Sequence, residues 1–147
     1  MAIPELEFDT GNLPPGIHFA TWEEILATFG GTPRRLDLLS GLLRALESLR
    51  TAGCSRAYLD GSFVTAKEEP GDYDGCWTPA GVNPDLLDPT LLDFSPGRAA
   101  QKAKFGGELF VAEGTADAAG THFLDFFQRD RNGNVKGIIA IDLGGLP

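Results

Sequence analysis

The order of patterned segments predicts an α+β domain built around a small mixed β-sheet. Three observations carry this. Two helical patterns with capping signals open the chain, short β-branched or aromatic runs follow, and further short helical patterns fall between those runs. The 147 residues, 42% hydrophobic and 22% charged, suit a single domain over 1–147, because this length is close to the usual domain size.

Residues 1–20 carry Gly11, Pro14, Pro15 and Gly16 and read as an extended lead-in. Thr21-Trp22-Glu23-Glu24 has the spacing of a capping box, which predicts a short helix over about 21–29 ending at Gly30-Gly31. Thr32 then caps a second helix with Pro33 in its first position. In that helix Leu36, Leu39, Leu43, Leu46 and Leu49 recur at steps of three and four, which predicts a buried stripe. Arg34, Arg35, Arg44, Glu47 and Arg50 are expected on the solvated side, and Gly53 supplies the stop.

Arg56 to Leu59 reads as a short strand running into Gly61-Ser62, and Tyr73 to Trp77 as a second. Residues 78–97, rich in Pro, Gly, Asn and Asp, read as loop with one helical turn. Arg98 to Lys104 is a predicted helix, Gly106-Gly107 punctuates it, and Glu108 to Ala112 is a predicted strand. After a loop at 113–120, Thr121 is expected to cap a helix carrying Phe123, Phe126 and Phe127 on one face. Arg131 to Asn134 is a turn signal, Val135 to Leu143 a β-branched strand, and the Gly-Gly-Leu-Pro end a frayed tail.

The formal charge of −9 works against broad contact with nucleic acid, which depends on Lys and Arg neutralising phosphates. An anionic substrate would therefore need a divalent cation or a local basic cluster. The two cysteines, Cys54 and Cys76, are expected as reduced thiols, and His18 and His122 are too isolated to give zinc spacing. No apolar run approaches the ~20 residues that span a bilayer. The acidic start MAIPELEFDT lacks the features of a signal peptide, so a cytoplasmic protein with no membrane partner is expected. There is no GxxxxGK[ST], GxSxG or HExxH motif.

The stretch that carries chemistry is YLDGSFVTAKEEPGDYDGCW, residues 58–77. Side chains two apart in a strand share a face, so Asp72 and Asp74 aim two carboxylates at one spot. Left bare they repel, and one protonates near neutral pH; a Mg2+ (or Mn2+) ion removes the conflict. Gly61-Ser62 lies nine residues upstream, at the end of the preceding strand. There, backbone N–H groups and the Ser62 hydroxyl suit phosphate oxygens. Together the two elements make a site for an NTP and for displacement at phosphorus. Lys67 either adds positive charge beside the phosphates or is a surface lysine.

Gly-Ser, nine residues, then Asp-x-Asp resembles the motif of the DNA polymerase β-like nucleotidyltransferase superfamily. Gly61, Ser62, Asp72 and Asp74 match it position by position. The resemblance implies a nucleotidyltransferase core: a mixed sheet with helices on one face, carboxylate-bound metal and NTP use. It also implies a third carboxylate on a later strand. Asp93, Glu108 and Asp142 are the candidates, and Glu108 is chosen because it opens the strand after the intervening helix, where the superfamily's third acid usually sits.

The chain as a whole resembles a bacterial family of small nucleotidyltransferase-like proteins. The matching stretches are GSFVT, DYD, Lys104-Phe105-Gly106-Gly107-Glu108 and Lys136-Gly137-Ile138. Related chains often carry Asp at the third-acid position, so Glu108 is a departure that shifts the ligand oxygen by roughly 1.5 Å.

Two functions follow as expectations. The first is a nucleotidyltransferase moving NMP from an NTP to a protein or RNA acceptor, with protein favoured by the negative charge. The resemblance places small members of this kind in toxin–antitoxin pairs. The second is a catalytically weak or inactive module of the same fold that acts by contact, as an antitoxin-like partner.

Overall fold

The structure, a computed structural model, describes residues 3–94, 98–130 and 132–147. Residues 1 and 2 of the lead-in, 95–97 at the end of the expected loop, and Arg131 of the expected turn lie outside the described residues.

Five strands form one mixed sheet in the order β1-β5-β2-β3-β4. They are β1 (Gly16–Phe19), β2 (Arg56–Asp60), β3 (Tyr73–Trp77), β4 (Gly107–Val111) and β5 (Gly137–Asp142). β1 runs parallel to β5 and β3 parallel to β4, while β2 is antiparallel to both β3 and β5. Four α-helices are described: α1 (Trp22–Phe29), α2 (Pro33–Thr51), α3 (Ala99–Phe105) and α4 (Phe123–Phe126). The molecule is thus a mixed α/β fold around a five-stranded sheet.

The local signals explain the first two helices. Thr21 and Glu24 exchange both bonds of a capping box, with Glu24 accepting from the Thr21 N–H at 2.9 Å and Thr21 accepting from the Glu24 N–H at 3.2 Å. Thr32 accepts from the Arg35 N–H, and Pro33 opens α2. Trp22, Ile25 and Phe29 of α1 join Leu38, Leu39, Leu42, Leu46 and Leu49 of α2 against Leu59, Tyr73, Trp77, Leu109, Ile139 and Ile141 of the sheet. Those sheet residues alternate along their strands and so share one face.

Several expectations need correction. The buried stripe of α2 is rotated, since Leu36 is 48% exposed and Leu43 is half-buried, whereas Leu38, Leu42 and Ala45 are buried. Gly41 sets that rotation, because a Cβ there would meet the Phe105 carbonyl oxygen at 2.1 Å, so α2 turns its glycine face to α3. Arg35 is buried, not solvated. Within the lead-in, Gly16–Phe19 is a strand whose partner, β5, is remote in sequence. Leu146 is buried in the core and its carbonyl accepts from Arg50, so the tail is anchored. Thr121 does not cap α4; its N–H donates to Asp117 and His122 holds the cap position.

Helices also lie on both faces. Phe123 and Leu124 at α4 pack with Phe127 against Tyr58, Cys76, Ile138 and Ala140, on the sheet face away from α1 and α2. Cys54 and Cys76 are buried free thiols. No helix among the described residues is long and apolar enough to cross a membrane.

Candidate active site

The register of β2, β3 and β4 brings acids together. Asp60 lies opposite Asp74, and Asp74 opposite Glu108, so three carboxylates stand in a row across three strands. Asp72, two residues before Asp74, shares its face. Asp72, Asp74 and Glu108 each offer a carboxylate oxygen, all within 4.8 Å of one another.

Two adjacent glycines deliver Glu108. Gly106 ends α3 in the left-handed region (φ 86°), which only glycine adopts readily. Gly107 lies against the Tyr73 ring, where a Cβ would come within 2.5 Å of a ring carbon. Tyr73 in turn donates its hydroxyl to the Phe105 carbonyl at 2.9 Å, which ties α3 to β3.

The Gly-Ser turn abuts the same acids. Gly61 has φ 86° and ψ −173°, a conformation nearly confined to glycine, and a Cβ there would meet an Asp74 carboxylate oxygen at 2.9 Å. Ser62–Val64 forms one 3-10 turn whose first bond runs from the Val64 N–H to the Gly61 carbonyl. The N–H groups of Ser62 and Phe63 therefore have no acceptor within the turn.

Two arginines that sequence reasoning left on the surface hold the loop between these motifs. Arg35 donates to the carbonyls of Phe29, Phe63, Thr65 and Lys67 and lies beside the Phe29 and Phe63 rings, whose centroids are themselves 5.9 Å apart. Arg34 donates to the carbonyls of Pro70, at 3.1 Å, and Gly71. The signal for them was present. Positive charge in the first turn of a helix opposes the helix dipole, so an Arg-Arg pair there needs another partner.

Of the two readings of Lys67, the structure has the surface one. Lys67 is exposed, and among the described residues its side chain makes no ion pair, while its carbonyl accepts from Arg35. Lys102 of α3 stands at the acids instead, 3.3 Å from Glu108 and 3.8 Å from Asp72. Behind the turn, buried Asp60 pairs with Lys136 at 2.9 Å. Of the other third-acid candidates, Asp142 pairs with Arg56 at 2.9 Å and Asp93 lies outside the acid group.

The electrostatics match a crowded anionic site. Burial, followed by the charges of Asp72, Glu108 and Asp60, pushes the Asp74 carboxyl up to about 7, with Lys102 opposing. Burial also raises Asp60 against the pull of Lys136. The hydrogen bond to Glu108 raises Lys102.

The donor set fits a hard divalent cation. Ligand oxygens of one Mg2+ lie about 3.0 Å apart in adjacent positions and about 4.2 Å apart across the ion, so three oxygens within 4.8 Å of one another would draw inward to share one ion. The Lys102 ammonium already draws two of the three acids toward one positive charge.

The family of unknown function DUF6932 matches residues 4–142, nearly the full length of the chain. The chain belongs to DUF6932. The match encloses each acid of the site, the Gly61-Ser62 turn and the Asp60–Lys136 pair of this DUF6932 member. No curated protein and no solved structure matches the chain.

Proposed function

We propose that this DUF6932 chain is a metal-dependent nucleotidyltransferase that moves NMP from an NTP to an acceptor hydroxyl. The observation that carries the reading is the convergence of Asp72, Asp74 and Glu108 within 4.8 Å, beside a glycine turn that touches Asp74. The β2–turn–β3–β4 unit that supports them suits a nucleotidyltransferase core.

Asp72 and Asp74 would hold Mg2+ or Mn2+, and Glu108 would complete the set. A cation so held would neutralise phosphate charge and make the α-phosphorus a better electrophile. Gly61 and Ser62 receive the β- and γ-phosphate oxygens through the turn's N–H groups and the Ser62 hydroxyl. The acceptor oxygen bonds to the α-phosphorus, the α–β bridging bond breaks, pyrophosphate leaves, and the hydroxyl proton passes to Glu108. Lys67, exposed on the loop, has no part in this scheme.

With a net charge of −9, a protein acceptor suits the surface better than RNA, and a cytoplasmic role within a toxin–antitoxin pair is consistent with that. The test is incubation with Mg2+ and each α-labelled NTP, together with host lysate or total RNA. Label should pass to a protein band and should vanish in the Asp72→Ala/Asp74→Ala variant. Absence of transfer, with NTP or a partner still bound, would replace the enzyme by a contact-acting module of the same fold.

A further inference from the structure

Arg98 is a half-buried cation without a hydrogen-bond or ion-pair partner among the described residues. It precedes α3, and its guanidinium carbon lies 3.8 Å from the Phe110 ring centroid and 5.1 Å from that of Phe94. Among the described residues it makes no hydrogen bond and no ion pair, and its Nε is buried without a partner. A guanidinium carries five N–H donors, and a buried donor left unmade is costly. Its backbone also stands in the left-handed region (φ 46°), the one non-glycine to do so among the described residues. That is a strained conformation for a side-chain-bearing residue.

The position of Arg98 relates it to the acids. Phe110 follows Glu108 by two residues on β4, so the ring beside Arg98 and the carboxylate share a face; burial lowers the Arg98 guanidinium and the Glu108 charge opposes that. Lys102 lies four residues on, one helical turn away, and reaches Glu108 and Asp72. Helix α3, with Arg98 at its N-cap and Lys102 within it, lies against β4. Buried Gln101 accepts from the Leu109 N–H at 2.8 Å and fastens the helix to that strand.

We propose that Arg98, with Lys102 beside it, grips the phosphate oxygens of the nucleotide at the acid site. The inference rests on the nucleotidyltransferase reading, since it names the residues that receive that enzyme's triphosphate. Stacking between Phe94 and Phe110 fixes the plane of the guanidinium, and a planar fork matches two phosphate oxygens where an ammonium offers only a point charge. It supplies the local basic group that an acidic chain needs for an anionic substrate.

The test is calorimetric titration with ATP and with inorganic tripolyphosphate, both in Mg2+ buffer, on wild type, Arg98→Gln and Arg98→Lys. Wild type binds both ligands, Arg98→Gln binds them about tenfold more weakly or worse, and Arg98→Lys recovers part of the loss. Melting curves show that each variant is folded; if Arg98→Gln is not, the comparison of wild type with Arg98→Lys decides. Unchanged affinity in the folded variants overturns the proposal, as does a wild type that binds neither ligand.

Titration with Mn2+ alone, read by electron paramagnetic resonance, separates the two ideas. Mn2+ should bind wild type and Arg98→Gln but not Asp74→Asn. If Mn2+ binds and phosphate affinity ignores Arg98, the grip alone is wrong. If wild type binds no Mn2+ while Arg98→Gln still loses tripolyphosphate, the grip stands and the nucleotidyltransferase reading falls.

Discussion

Arg35 and Arg98 each lie against two phenylalanine rings and are bonded differently. Arg35 lies 5.7 Å and 5.0 Å from the Phe29 and Phe63 rings and donates to four main-chain carbonyls. Arg98 lies 5.1 Å and 3.8 Å from the Phe94 and Phe110 rings and, among the described residues, donates to nothing. Aromatic stacking positions both guanidinium groups, so it cannot separate their roles. Hydrogen bonding does: Arg35 is buried and its donors are used within the scaffold, whereas Arg98 is half-buried and its buried Nε has no partner among the described residues. The acids divide in the same way. Asp60 is paired with Lys136, while Asp74 stands among other carboxylates and is pushed up to about 7.

The largest effect expected from this contrast is at Arg35. Arg35→Gln should lower unfolding stability by about 3 kcal/mol, because several carbonyls that the guanidinium satisfied lose their donor on the buried side of the loop. Urea unfolding measures it, and a loss below about 1 kcal/mol would mean that the loop does not depend on this residue. Gly61→Ala comes next, at about 2 kcal/mol, since alanine is strained at φ 86°, ψ −173°. Its Cβ would also press on the Asp74 oxygen at 2.9 Å, so Mn2+ affinity should fall together with stability. A variant that loses stability and keeps Mn2+ affinity would detach the turn from the acids.

The scaffold was legible where local rules decide and illegible where remote contacts do. The caps at Thr21 and Thr32 depend on residues within one turn, and both formed as their spacing required. The strand at Gly16–Phe19 depends on β5, far along the chain, and no local pattern in a four-residue run beside two prolines signals it. The α2 stripe was misread because leucines occupy more than one helical face, and the close approach of Phe105 to Gly41 chooses among them. At the site, period two placed Asp72 with Asp74, and the Gly-Gly break placed Glu108 in register. Lys67 was open to two readings, a cation at the phosphates or a surface lysine, and the cation that stands at the acids is Lys102 of α3, which is remote from Asp72 and Asp74 in sequence.

A smaller effect, of opposite sign, is expected at Asp74. Its carboxyl titrates near 7 when folded, against an ordinary value of 3.8, so the folded state holds that proton more tightly than the unfolded chain. Stability contributed by this group is therefore lost as pH rises from about 4 through about 7. In EDTA at pH 8, Asp74→Asn should be more stable than wild type by about 1–2 kcal/mol, a figure reduced for solvent screening. At pH 4 the difference should vanish. Mg2+ should reverse the order at pH 8, because it stabilises only the protein that binds it. A wild type whose melting temperature is flat between pH 5 and pH 8 in EDTA would remove Asp74 from the crowded set.

The smallest expected effect decides most about the contrast. Arg98→Gln should change unfolding stability by less than about 0.5 kcal/mol, because the loss of ring contact is offset by release of an unpartnered donor and by glutamine's smaller desolvation. The same substitution at Arg35 removes a residue that also contacts two rings and costs several times more, so the difference between the two variants weighs chiefly the hydrogen bonds. If Arg98→Gln is as damaging as Arg35→Gln, stacking itself carries the stability, and Arg98 is as much a scaffold residue as Arg35. If it is silent in the apo protein and its cost appears only when Mg2+ and tripolyphosphate raise the melting temperature of wild type but not of the variant, the empty donors are those the ligand fills.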